Sequence, residues 1–133
     1  MLRNFLKITA LHSSLAIALI LPAAASAEPL DPKKVNQPEM TSELALGKLN
    51  YEAKCAQCHG RNAVGTDKGP TFLHRVYHPG HHGDRAFYLA ARQGARAHHW
   101  KFGDMPPVED VTDKQLQTIV SYIRALQHAN GLF

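Results

Sequence analysis

Hydrophobic positions fall into four groups along the 133-residue chain, separated by polar, glycine- and proline-punctuated stretches. The first is a mostly apolar run from Ile8 to Leu21. The second comprises Leu44, Leu46, Leu49 and Tyr51, and predicts a helix beginning near Thr41 or Ser42, either of which can cap it. Gly47 lies inside that helix, where glycine costs about 1 kcal/mol relative to alanine, which suggests close approach by another helix. The third group, Phe87, Leu89, Ala90 and Ala91, predicts a helix with Asp84 as its cap and Gly94 as its stop. In the fourth, Leu116, Ile119, Val120, Ile123 and Leu126 fall on one face at helical spacing. Thr112 caps that helix, Gln115 completes a capping box, and Gly131 lies just beyond its end. No period-2 alternation long enough for a strand occurs. The pattern predicts an all-α fold of short helices joined by long loops, 60–83 and 95–111. Loops of that length in a small domain call for a functional reason.

The first apolar group belongs to a different kind of segment. Arg3 and Lys7 precede it, and Ala25-Ser26-Ala27 follows with the small residues a signal peptidase needs. Residues 1–27 therefore read as a secretory signal peptide. A membrane anchor is the alternative. The run is shorter than the roughly 20 residues that span a bilayer, and His12, Ser13 and Ser14 interrupt it. No cysteine near the cleavage site offers a lipid attachment point. Residues 28–41, with Pro29, Pro32 and Pro38, read as a flexible N-terminal segment, and 42–133 as the folded domain. The expectation is an exported, periplasmic domain with no stable membrane insertion after cleavage.

Cleavage also changes the charge. The leader holds Arg3 and Lys7 and no acid, so the net +4 of the whole chain falls to +2. With no basic stripe left, nucleic-acid binding is not indicated. A mature domain of this size buries a modest core. Only two cysteines are available to reinforce it, and a bridge between Cys55 and Cys58 would close too small a loop to constrain much. The thiols need another purpose, and a covalently bound cofactor that joins the core would supply one.

Cys55-Ala56-Gln57-Cys58-His59 has the form that attaches c-type haem. Two thiols one helical turn apart can each add to a vinyl group of the porphyrin, and the following histidine then lies under the iron as an axial ligand. A thioredoxin-like redox pair would need a preceding strand and a βαβ context, which the pattern lacks. A zinc site from Cys55, Cys58, His74 and His78 is close to a Cys2His2 set, although the gap from Cys58 to His74 is longer than in a zinc finger.

Over residues 42–128 the chain resembles the class I c-type cytochromes, the small monohaem cytochrome c family. Gly47 and Tyr51 before Cys55-Ala56-Gln57-Cys58-His59-Gly60, then Gly69-Pro70, Met105-Pro106-Pro107 and Tyr122 in the last helix carry the resemblance in order. It implies three to five short helices wrapped around one covalently attached haem c per chain. It implies that Met105, the only methionine in the loop before the last helix, is the second axial ligand opposite His59. Packing filler is the other role open to that methionine. It implies that the Pro70 carbonyl accepts a hydrogen bond from the His59 ring, and that Gly47, Tyr51 and Tyr122 form the crossing of the first and last helices. Trp100 and Arg96 are candidates to reach a haem propionate. The implied function is one-electron transfer between periplasmic or membrane redox partners by a monomeric carrier rather than an enzyme, alone or serving a redox enzyme as a subunit. Docking contacts of such carriers are small, often under about 1,200 Å².

Six histidines, His74, His78, His81, His82, His98 and His99, crowd the loops between the two haem-binding segments. Any of them is chemically able to replace Met105 on the iron, which would lower the reduction potential. The His81-His82 and His98-His99 pairs also suit copper or a similar metal. The alternative function is thus a copper-handling haem protein, and the plainest reading of these rings is solvated loop histidines.

Overall fold

The computed structural model describes residues 30–133. The expected signal peptide, 1–27, lies outside the described residues. Four helices follow in chain order: α1 (Ser42–Lys54), α2 (Ala56–His59), α3 (Asp84–Gln93) and α4 (Asp113–Ala129). Single 3-10 turns occur at Pro32–Lys34, Arg61–Ala63 and Arg75–Tyr77. Among the described residues the extended pairing is limited to one isolated bridge, Ala95 with Met105. The all-α expectation therefore holds, with both long loops in place.

The helix starts follow their caps. Thr41 Oγ1 accepts from Leu44 N at 3.2 Å to open α1. Thr112 opens α4 with a complete capping box: its Oγ1 accepts from Gln115 N at 3.2 Å, and Gln115 Oε1 accepts from Thr112 N at 3.0 Å. The start of α3 differs from the expectation. Gly83 is its cap residue, and Asp84 is its first helical residue. The Asp84 carboxylate accepts from Arg124 Nε of α4 at 2.7 Å, so it ties two helices together instead of capping one.

Helices α1 and α4 form the most extensive helix pair. Their crossing explains Gly47. A methyl group there would sit 2.1 Å from the Thr118 carbonyl oxygen of α4, so only glycine permits the approach. Beside it, Tyr51 and Tyr122 are fully buried with ring centroids 5.7 Å apart. Together with Phe72, Leu73, Ile119, Ile123 and Leu126 they make the core. Leu46 and Leu49 lie on the exposed side of α1, so that helix contributes a glycine and a tyrosine to the core rather than its leucines.

The segment before α1 is more anchored than its prolines suggest. Leu30 N donates to Val64 O at 2.9 Å, and Asn36 exchanges hydrogen bonds with Asn130 at 2.9 and 3.0 Å. Val35 packs on the core. Side-chain amide capture of an extended backbone supplies what the proline pattern does not reveal.

Candidate cofactor site

The end of α1 and the whole of α2 present the Cys55–His59 motif. One helical turn separates the two thiols, which are not joined in a disulfide. Cys55 is half-buried, and its pKa is pushed up to about 11 by burial and then by Cys58. Cys58 is exposed. His59 is buried, and its ring stacks on Phe72 with centroids 4.1 Å apart.

The loop after the motif folds back to fix it. Gly65 N donates to His59 O at 2.7 Å, and Thr66 Oγ1 donates to Cys58 O at 2.5 Å. Tyr51 Oη donates to Gly60 O at 2.8 Å, joining the motif to the α1–α4 crossing. This places the Pro70 carbonyl 2.9 Å from His59 Nδ1. A carbonyl only accepts, so Nδ1 carries the proton and Nε2 keeps its lone pair. Nε2 has no hydrogen-bond partner among the described residues. Burial holds the ring below the ordinary histidine range, with the Pro70 bond working in the opposite direction. His59 is thus a neutral, oriented imidazole with its donor nitrogen unspent.

His59 borders a cavity of about 560 Å³, within the size range of cofactor pockets. The lining is mostly apolar. Ile119, Val120 and Ile123 of α4 form one wall, Phe87 and Ala90 of α3 another. Cys55, Cys58, His59, Pro70 and Met105 all line it, so the structure brings together the five residues singled out from sequence.

Met105 reaches the cavity from the loop between α3 and α4. Its backbone pairs with Ala95 in both directions, at 2.9 and 2.8 Å. Gly94 makes that pairing possible. Its φ of +77° suits glycine, and a methyl there would meet the Met105 carbonyl oxygen at 2.5 Å. Val108 N donates to Ala91 O at 2.7 Å and anchors the chain just after Pro106 and Pro107.

The six loop histidines separate into groups. His74 and His78 do not line the cavity; their Nδ1 atoms accept from Val76 N and Gly80 N at 3.2 and 3.0 Å. The four-ligand zinc set from Cys55, Cys58, His74 and His78 is therefore not assembled. His82, His98 and His99 stand on the cavity lining. Arg96 and Trp100 also line it, the indole Nε1 donating to Tyr77 Oη at 3.4 Å.

A family model described as Cytochrome c matches residues 44–127. The chain belongs to the cytochrome c family. No individual curated protein matches it. Membership carries a haem-based electron-carrier role, with haem c bound covalently through a cysteine pair, and this chain holds that pair as Cys55 and Cys58. Among the described residues no helix is long and apolar enough to cross a membrane.

One residue central to this cytochrome's loops escaped the sequence reading. Arg124 donates to the Asp84 carboxylate, to the carbonyls of Tyr77 and His82, and to Gln127 Oε1, at 2.6–2.7 Å. It clamps the 72–83 loop and α3 onto α4. A charged residue between Ile123 and Leu126 on an otherwise apolar helix face was the available signal.

Proposed function

We propose that this cytochrome is an exported, monohaem electron carrier in which Cys55 and Cys58 would hold haem c as thioethers, and His59 and Met105 would ligate its iron. The observation that carries the reading is the convergence on one apolar cavity of two thiols, a thioether and an imidazole whose Nε2 is unspent. These residues fit haem c: soft and imidazole donors suit iron, and the lining suits a porphyrin face. When bound, the haem iron supplies reversible one-electron chemistry between ferric and ferrous states.

The protein's part is to hold donors still. The Pro70 carbonyl fixes the His59 ring and raises its basicity. The Ala95–Met105 pairing, set by Gly94, fixes the backbone that carries the methionine on the other loop. Donors fixed in both oxidation states keep reorganisation small. The Nδ1 atoms of the rival ligands His82 and His98 are held by the Val76 and Arg96 carbonyls, and it is the family resemblance that favours Met105 over them. The apolar walls exclude water and leave the rim, near Cys58, as the approach for a small, transient redox partner in the periplasm.

The test is Met105→Ala in the purified holoprotein. The weak sulfur-to-iron band at the red end of the ferric spectrum should vanish, and the reduction potential should fall. An unchanged spectrum and potential would assign the sixth position to another residue. Mass spectrometry of the wild type should show one haem added per chain.

A further inference from the structure

Four histidine rings from two distant loops meet at the edge of the cavity. His81 and His82 come from the turn before α3, and His98 and His99 from the loop after it. His81 Nε2 lies 3.2 Å from His99 Nε2, and His82 Nε2 lies 3.4 Å from His98 Nε2. The donor atoms of His81, His82 and His99 all fall within 4.8 Å of one another. His81, His98 and His99 are exposed and His82 is half-buried, so ions reach the group directly from solvent.

The tautomers of two of these rings are dictated by their surroundings. His82 Nδ1 lies 2.8 Å from Val76 O, and His98 Nδ1 lies 2.7 Å from Arg96 O. Carbonyl oxygens only accept, so each Nδ1 carries the ring's proton. In the neutral rings both Nε2 atoms are then lone pairs, aimed at each other across 3.4 Å. Two acceptors cannot hydrogen-bond. A cation between or beside them resolves the conflict. The Nδ1–H···O=C arrangement is also the outer support that metal-ligating histidines use to fix their ring orientation.

The spacing fits as well. Four nitrogens placed tetrahedrally at 2.0–2.1 Å from a zinc ion stand about 3.3 Å apart. The two close pairs here are at 3.2 and 3.4 Å. The loops are held from behind, which limits the cost of assembly. His81 N and His82 N both donate to His78 O, at 2.8 and 2.9 Å, and His82 O accepts from Arg124. On the other side Ala97 N donates to Asp104 Oδ1 at 2.8 Å beside the Ala95–Met105 bridge.

We propose that His81, His82 and His99, with His98 beside them, bind one divalent transition-metal cation of the imidazole-preferring class at the rim of the cavity. Neutral imidazole nitrogen selects copper(II), zinc or nickel over magnesium or calcium, and the order of intrinsic affinities places copper(II) above zinc. None of the four nitrogens is assigned to the haem iron, so the site stands apart from the electron-transfer reading.

Calorimetric titration of the ferric holoprotein with Zn2+ alone tests it, because attached haem removes the two thiols from competition and zinc is redox-silent. One ion per chain is expected, with the haem absorption bands staying in place. The triple variant His81→Ala, His82→Ala, His99→Ala should bind at least tenfold more weakly. The exposed single variants His81→Gln and His99→Gln should each lose affinity, which guards against misfolding of the triple. A His78→Ala, His128→Ala control should bind as the wild type does. Absence of a one-to-one site, or equal affinity in wild type and triple variant, would overturn the proposal. So would a changed haem ligand-field spectrum in His99→Gln, which would place that ring on the iron; an unaltered Met105→Ala spectrum beside it would sink the methionine assignment as well, whereas an unaltered Met105→Ala spectrum with an unchanged His99→Gln spectrum would sink the methionine assignment alone.

Discussion

Single residues set the tightest constraints in this cytochrome, and Gly47 is the clearest. Any side chain at 47 meets a backbone oxygen of α4 at 2.1 Å, and backbone cannot swing aside as a side chain can. Alanine would gain about 1 kcal/mol in helix propensity, whereas forcing apart a packed crossing costs typically 1–3 kcal/mol and more where the neighbour is rigid. Gly47→Ala should therefore destabilise the holoprotein by about 2 kcal/mol. Thermal unfolding checks this, and an unchanged or raised midpoint would mean that α1 and α4 do not cross at this residue. Gly47 was legible in sequence because a glycine inside a helical pattern is anomalous on its face. Gly94 was legible only as a helix stop. Its second role, admitting the Met105 carbonyl, depends on a chain segment eleven residues away and leaves no local mark. The Cys55–His59 motif was readable for the opposite reason, since its chemistry is complete within five residues. The convergence of Pro70 and Met105 on the same cavity is a property of the loops, and only the family resemblance hinted at it.

At the scale of elements, the helices follow from periodicity and caps, while the loops are governed by side chains that belong to other elements. The Thr112–Gln115 box and the apolar face of α4 locate that helix from sequence alone. Asp84 shows the limit: an acid at a helix start reads as a cap, yet here its oxygen is taken by Arg124, forty residues later. Arg124 and the fully buried Gln127 act as a polar seam on the inner side of α4. Gln127 Nε2 donates to Phe72 O at 2.8 Å, and Arg124 to Tyr77 O and His82 O. Both therefore serve carbonyls of a loop that has no ladder of its own. Removing the guanidinium leaves the His82 carbonyl, Gln127 Oε1 and the Asp84 carboxylate without this donor, and leaves Tyr77 O with only Gln127 Nε2 at 3.3 Å, at about 2–4 kcal/mol given the strength of bonds to charged groups. The expected outcome for Arg124→Ala is a lowered unfolding midpoint together with faster amide exchange concentrated in 72–83 and the first turn of α3. Arg124→Lys should recover part of the stability but not all, because one ammonium cannot match the fork. Uniform acceleration across α1 and α4 would instead mark Arg124 as a general stability residue.

For the whole molecule the question is how so small a domain completes its core. The residues that pack α1 against α4 on one side line the cavity on the other: Ile119 and Ile123 belong to both. The polypeptide thus leaves a cleft of about 560 Å³, open at its rim, that its own side chains do not fill. Its apolar walls face that space instead of being buried, and a domain this small has little other core to compensate. A covalently held porphyrin is then as much a core residue as a redox centre, and the long loops 60–83 and 95–111 are its wrapping. The same reasoning predicts the behaviour of a haem-free Cys55→Ala, Cys58→Ala chain. It should keep helical far-ultraviolet dichroism, since the caps and the apolar face of α4 are intact. It should lose near-ultraviolet dichroism and cooperative melting, and it should bind hydrophobic dyes, as compact states without fixed packing do. Added zinc should not restore cooperativity, because the histidine rim holds the outer loops and leaves the apolar volume unfilled. A sharp thermal transition with native near-ultraviolet signal in that haem-free variant would show that the helices close upon themselves without a cofactor.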